Sequence, residues 1–315
     1  MMKKHAILVT GAGGFIGANL VRKLINEKYD VHVIWKKTTK SWRLIDILLK
    51  LTLHEIELSD RPGLMRVMQK IQPYAIIHLA AHGAYSSQTD IDRMIQINIE
   101  GTLNLLLASR EINYQAFINT GSSSEYGPND KPMKETDVLR PASFYAATKA
   151  SATYICKVFA EQFNKPVITL RPFSVYGPYE EPGRFIPTVM QALRKQTPIQ
   201  ITPGSQRRDF VFIDDIVQAY LCAIQQGKKV SGQVFNLGTG IEYTNDEVVN
   251  TLFKTTNKKT VIQKGAYPKR IWDTDHWAAN TSLTHKKLKW RFKTPLHKGL
   301  VATYHWLAAN KQHYE

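Results

Sequence analysis

The chain has 315 residues, 43% of them hydrophobic, and carries 42 Lys and Arg against 26 Asp and Glu, a formal net charge of +16. That size and composition support one large core or two interleaved lobes and exclude a disordered chain. No apolar run reaches the length of a bilayer span, so no membrane insertion is expected. Met1-Met2-Lys3-Lys4-His5 leads into a strand instead of a signal-peptide core, which makes the cytoplasm the expected location.

The basic excess would draw anionic ligands, nucleic acid or an acidic membrane surface. Its lysines are scattered, however, as at Lys228-Lys229, Lys258-Lys259 and Lys286-Lys287, with no long basic block and no nucleic-acid-binding motif. The charge therefore reads as solvated surface plus an anion-friendly cleft, and nucleic acid is not the expected partner. Cys156 and Cys222 lack metal-ligand spacing, so free thiols are expected and no metal site.

In chain order, an apolar strand at 6–9 runs into Thr10-Gly11-Ala12-Gly13-Gly14-Phe15-Ile16-Gly17 and then an amphipathic helix over 19–27. Gly11 permits a tight turn, Gly14 keeps side chains away from a bound pyrophosphate, and Gly17 lets the helix pack closely on the sheet. Phe15 and Ile16 join these glycines as candidate cofactor contacts, and the free N–H groups at the helix N-terminus favour an anion. A plain βα loop is the alternative, but strand before and helix after favour a dinucleotide. Further strands are expected at 31–35, 75–79, 116–119 and 167–171, alternating with helices. The rhythm predicts an α/β fold, a Rossmann-type doubly wound parallel sheet with a smaller, mixed C-terminal lobe. Its dinucleotide-binding domain covers 1–171, with later returns near 210–240 through short strands at 210–213 and 234–237. The Pro-rich remainder, 172–315, forms an interleaved substrate-binding lobe.

Tyr145 and Lys149 are spaced Y-x-x-x-K on a predicted helix, which places them one turn apart on one face. An ammonium beside a phenol stabilises phenolate, lowers the Tyr pKa and makes it a usable acid/base near neutrality. Such a pair also occurs by chance on surface helices. Upstream, Ser122, Ser123 and Ser124 leave a strand at the carboxyl edge, where doubly wound sheets place ligands.

With these motifs, and with His78-Leu79-Ala80-Ala81, Asn98, Leu170-Arg171-Pro172-Phe173-Ser174-Val175-Tyr176-Gly177-Pro178 and Arg208-Asp209-Phe210, the chain resembles the extended short-chain dehydrogenase/reductase family, the NAD-dependent epimerase/dehydratases, in its nucleotide-sugar-modifying branch. The resemblance implies Ser122 as the catalytic hydroxyl, Tyr145 as acid/base and Lys149 as the residue that lowers its pKa and holds the nicotinamide ribose. It implies further cofactor contacts at Leu79, Ala80 and Ala81, and nucleoside-diphosphate contacts at Arg184, Arg208 and Arg270. Ser123 and Ser124 are either substrate contacts or turn residues, while His78 and Asn98 read as buried structural groups. In the family's sugar 4,6-dehydratases an Asp-Glu pair follows the catalytic Thr. Here Ser123 and Ser124 hold those positions, and hydroxyls do not easily replace carboxylates in acid/base work. Ser174 replaces an asparagine usual in the family.

After the second strand, Trp35-Lys36-Lys37 offers no acid for an adenosine 2′-hydroxyl. Lys36, Lys37 and Arg43 could instead pair with a 2′-phosphate, so NADP is the expected cofactor with NAD as the alternative. The resulting expectation is NADPH-dependent reduction of a nucleotide-activated 4-keto (deoxy)hexose, with an NAD-dependent nucleotide-sugar 4-epimerase as runner-up. A non-catalytic cofactor- or nucleic-acid-binding scaffold is the alternative of another class. The helices predicted over 91–110 and 143–164 resemble the family's homodimer pair, with Ile95, Ile99, Leu103, Ile155 and Phe159 either supplying its core or packing on the sheet.

Overall fold

A computed structural model describes residues 5–36, 39, 42–85, 87–202, 206–265 and 275–314. Lys37 and Arg270, both expected ligand contacts, lie outside the described residues.

The first half alternates strand and helix: β1 (Ala6–Thr10), α1 (Phe15–Asn26), β2 (Asp30–Trp35), a 3-10 helix (Trp42–Lys50), β3 (Thr52–Glu55), α2 (Arg61–Ile71) and β4 (Ala75–His78). Next come α3 (Ile91–Met94), a π-helical turn (Ile95–Glu100), α4 (Gly101–Ser109), β5 (Ala116–Thr120), a short 3-10 turn (Ser123–Tyr126), α5 (Phe144–Phe163) and β6 (Val167–Pro172). The remainder comprises β7 (Ser174–Tyr176), α6 (Phe185–Lys195), β8 (Ile199–Ile201), β9 (Arg207–Phe212), α7 (Ile213–Gln226), β10 (Val234–Leu237), β11 (Glu242–Thr244), α8 (Asn245–Thr256), β12 (Ile262–Lys264) and α9 (Leu296–Ala309).

Seven strands form one parallel sheet in the order β10-β6-β5-β4-β1-β2-β3. Alternation along β1 sends Ile7 and Val9 into one apolar layer with α1 and α7, and Leu8 into the other with α2, α4 and α5. Strand order reverses at β1, between β4 and β2, which opens the crevice where such sheets bind ligands. A three-stranded sheet, β11-β9-β7, and the pair β12-β8 build the smaller lobe.

Three sequence expectations change. The segment at 210–213 belongs to β9 and hence to the small sheet, with Ile213 already opening α7. Strand β3 escaped the sequence reading because it is an edge strand with largely exposed side chains and no apolar run. Third, the helix expected over 91–110 is interrupted by a π-helical turn that carries Asn98 inward.

Candidate active site

The glycine turn is built by its neighbours. Gly11 has φ +70°, and a Cβ there would lie 2.5 Å from the Ala80 backbone nitrogen, so the loop Leu79-Ala80-Ala81 lies directly over it. At Gly17 a Cβ would overlap the Gly11 carbonyl and the Ala12 backbone. Its closeness is thus to the turn itself, whereas the sequence suggested the sheet. Gly14 caps α1 without a side chain, and among the described residues the one atom a Cβ would approach is the Gly11 carbonyl, at 3.3 Å. The N-terminus of α1 is therefore open to a diphosphate, and the cradle fits a dinucleotide.

His78 supports this turn from below. Thr102 donates to the Asn98 carbonyl at 2.7 Å, which leaves its oxygen to accept from His78 Nε2 at 3.0 Å. His78 Nδ1 then accepts from the Thr10 hydroxyl at 2.7 Å, and Thr10 in turn accepts the Ala80 N–H at 3.2 Å. Burial holds the imidazole pKa down at about 3, with the Lys149 charge acting the same way. His78 is a neutral structural group. Asn98 is equally buried and joins both main-chain groups of His82, at 2.8 Å each, to the Thr148 hydroxyl at 2.9 Å.

The serine turn leaves β5 next to α5. Ser122 caps the 3-10 turn, and its hydroxyl meets that of Ser124 at 2.7 Å. The same hydroxyl faces the phenol of Tyr145, half-buried on the first turn of α5, and acts to lower its pKa. Ser143 fixes that helix start by accepting the Ala146 N–H at 3.2 Å. Lys149, one turn on, is 3% exposed, so its ammonium belongs to the interior and not to a surface helix. Ser123 is buried as well and accepts a 3.0 Å hydrogen bond from the Trp277 indole.

Charge in the site differs from the sequence expectation. In the chain alone, burial pushes the Tyr145 phenol up to about 12, with the Ser122 hydrogen bond opposing and the Glu125 carboxylate adding to the rise. Lys149 therefore does not by itself bring the phenol into the neutral range. Its own pKa falls, chiefly from burial, and the charge that resists this is Glu125.

The expected substrate residues separate into two groups. Arg184 caps α6 beside the crevice, donates to the Ala84 carbonyl at 2.6 Å and lies 5.0 Å over the Tyr85 ring. Arg208 on β9 stacks 5.4 Å above the Trp277 ring. Among the lysines proposed for a 2′-phosphate, Lys36 is partly exposed and 3.5 Å from Glu57. Arg43 is not open to a ligand: it is 7% exposed, pairs with Glu181 at 2.6 Å and donates to the Tyr179 carbonyl at 2.7 Å.

The sequence reading passed over Glu125 and Trp277. A signal for Glu125 existed in Ser122-Ser123-Ser124-Glu125, the S-x-x-E pattern of a capping box, here formed with the Glu125 side chain on the Ser122 N–H at 2.7 Å. Trp277 had no local signal, since its partners lie far away in the chain.

Residues 7–238 match the model of the NAD dependent epimerase/dehydratase family, well over half of the chain. The chain belongs to that family. A dTDP-glucose 4,6-dehydratase of Neisseria meningitidis serogroup B is 31% identical over 78% of this chain and 74% of its own length. Among solved structures, the UDP-glucose 4-epimerase of Thermotoga maritima with UDP-glucose superimposes with a TM-score of 0.87 at 28% identity, over 97% of this chain and 99% of that one. A UDP-glucuronic acid 4-epimerase from Bacillus cereus, solved with UDP-glucuronic acid and NAD, gives a TM-score of 0.86 at 27% identity over the same shares.

Proposed function

We propose that the protein is an NAD(P)-dependent oxidoreductase acting on a nucleotide-activated sugar, with NADPH-dependent reduction of a 4-keto (deoxy)hexose as its reaction. The observation that carries this reading is the meeting of the Ser122 hydroxyl with the Tyr145 phenol, one turn from the buried Lys149.

Gly11, Gly14, Phe15, Ile16 and Gly17, with Leu79, Ala80 and Ala81, would hold the dinucleotide, and Lys149 its nicotinamide ribose. When bound, that cofactor supplies or accepts the hydride and, oxidised, brings positive charge to the site. Tyr145 delivers its proton to the C4 carbonyl oxygen of the sugar as hydride reaches the carbon, and Ser122 hydrogen-bonds the same oxygen. Lys149 opposes the negative charge that develops on the phenol. Arg184 at the start of α6 and Arg208 on β9 are proposed to grip the diphosphate, with Ser123 and Ser124 beside the sugar. The absence of a carboxylate at 123 and 124 speaks against dehydration.

The cofactor assignment rests on Lys36 and on the lack of an acid at the end of β2. The second reading, an NAD-dependent 4-epimerase, is favoured by the 4-epimerases among the similar structures, one of them solved with NAD. There Tyr145 would take the C4 hydroxyl proton and return it after the keto sugar turns over. Turnover that consumes added NADPH supports the reductase. Interconversion of two nucleotide sugars without added reductant overturns it in favour of the epimerase.

A cytoplasmic homodimer belongs to the same proposal; no described helix is long and apolar enough to cross a membrane. Its apolar face is Ile91, Ile95, Tyr154 and Val158, all exposed. Phe159, expected there, is buried in the sheet-facing core with Ile155 packed against it.

A further inference from the structure

We infer that Glu125 is a positioning residue that sets both the place of Ser122 and the charge of Lys149 from beneath the site. The inference rests on the catalytic reading of Ser122, Tyr145 and Lys149 given above.

Glu125 is fully buried, and its two oxygens reach the serine turn, β6 and α5. Oε1 accepts the Ser122 N–H at 2.7 Å and so holds the residue whose hydroxyl meets Tyr145. Oε2 accepts from Arg171 Nε on β6 at 2.8 Å and from the Thr153 hydroxyl on α5 at 2.9 Å. Gly121 is what allows this approach, because a Cβ there would lie 2.5 Å from Oε1.

Such a carboxylate does more than fill a core. A buried anion with one cation beside it would be a closed pair, as Glu125 and Arg171 are at first sight. Here two cations, Arg171 and Lys149, share the one anion, and all three are almost wholly inaccessible to water. Burial pushes the Glu125 carboxyl up, and Arg171, the Ser122 N–H and Lys149 all act to hold it down, so the charges of the three groups depend on one another. Burial acts to discharge Lys149, and Glu125 opposes it. Without that carboxylate, Lys149 and the neighbouring Arg171 would repel each other in a low-dielectric interior, and Lys149 would give up its proton. The other groups facing these residues are Tyr145 and Cys156 on α5, the neutral His78 on β4, Tyr126 on the serine turn and Glu135, whose carboxyl interacts with Arg171 and Tyr126. Of these only Glu135 is a second carboxyl, and it acts on Arg171, whereas the carboxylate acting on Lys149 is Glu125.

The test is to titrate Lys149 directly. Lysine labelled with carbon-13 at Cε gives each ammonium a pH-dependent NMR signal, and the Lys149→Met variant assigns the one of interest. In Glu125→Gln, which keeps the shape and an acceptor for Ser122, the Lys149 midpoint is expected to fall by about one unit or more. Glu125→Asp, which keeps the charge on a shorter arm, should leave the midpoint near that of the native chain while lowering kcat through the displaced Ser122. An unmoved midpoint in Glu125→Gln would overturn the inference. If Glu125→Gln does not fold, a midpoint in Glu125→Asp that falls by about one unit or more overturns it equally, since the carboxylate would then not be the controlling charge. Because the titration needs no substrate, its failure is separable from a failure of the catalytic reading, which activity of Tyr145→Phe tests.

Discussion

Thr10 and His78 meet through a 2.7 Å hydrogen bond at the point where β1 gives way to the glycine turn. The imidazole in this pairing is neutral, because burial and the nearby Lys149 charge both disfavour its protonation.

Neutral His78 ties stability to pH. Its pKa in the folded chain, about 3, lies below the ordinary value of 6.5, so the unfolded chain binds the proton first as pH falls. The contribution is complete above about 6.5 and is lost toward about 3, at up to about 1.4 kcal/mol per pH unit. Urea unfolding of the native chain and of His78→Gln at pH 7 and pH 5 should show a steeper acid loss in the native chain. Parallel losses would remove His78 as the cause.

Glu180 has the opposite dependence. Burial pushes its carboxyl up to about 8, against the opposing pull of Arg184 and the Gly177 N–H, and its Oε2 has no hydrogen-bond partner. The folded state therefore favours the protonated form, and stability falls as pH rises from about 4.5 through about 8. Glu180→Gln should raise the melting temperature at pH 8, by about 1–3 kcal/mol of stability, and leave it nearly unchanged at pH 4. A gain of equal size at both pH values would point to packing and not to charge.

Gly11→Ala should abolish dinucleotide binding and cost stability of about 1–3 kcal/mol, since φ +70° and the Ala80 backbone both oppose a side chain there. Gly14→Ala meets only the Gly11 carbonyl at 3.3 Å, so the fold should tolerate it while cofactor affinity drops. Thermal melts alongside cofactor titration check the pair. Equal affinities in Gly14→Ala and the native chain would show that no phosphate lies against that residue.

Cofactor choice can be read at Lys36. Replacing it with Glu should weaken NADPH about tenfold and change NADH affinity little, because only the former carries a 2′-phosphate. Fluorescence titration with both nucleotides decides. An equal loss for both, or preference for NADH in the native chain, would transfer the assignment to NAD.

Much of this architecture was legible in the sequence because its causes are local. The glycine turn, the Y-x-x-x-K spacing and the apolar strands each declare themselves within a few residues. So does α5, expected over 143–164 and found between the capping residues Ser143 and Asn164. What stayed hidden depends on contacts between distant segments. Trp277 reaches Ser123 across 154 positions, and Arg43 reaches Glu181 across 138. A basic side chain next to a predicted phosphate site reads as a ligand group until the fold shows its charge already paired. The phenol's pKa was misjudged for the same reason: helical spacing supplied the nearby ammonium, but burial and the Glu125 carboxylate come from other elements.

The proton relay at Tyr145 is tested most directly by single-turnover mixing of cofactor-loaded protein with a panel of nucleotide sugars, following the absorbance of reduced nicotinamide. The native chain should show a change with at least one 4-keto or 4-hydroxy sugar, and Tyr145→Phe, still binding cofactor, should slow it by at least about a hundredfold. An equal rate in the two proteins would contradict the proposed chemistry.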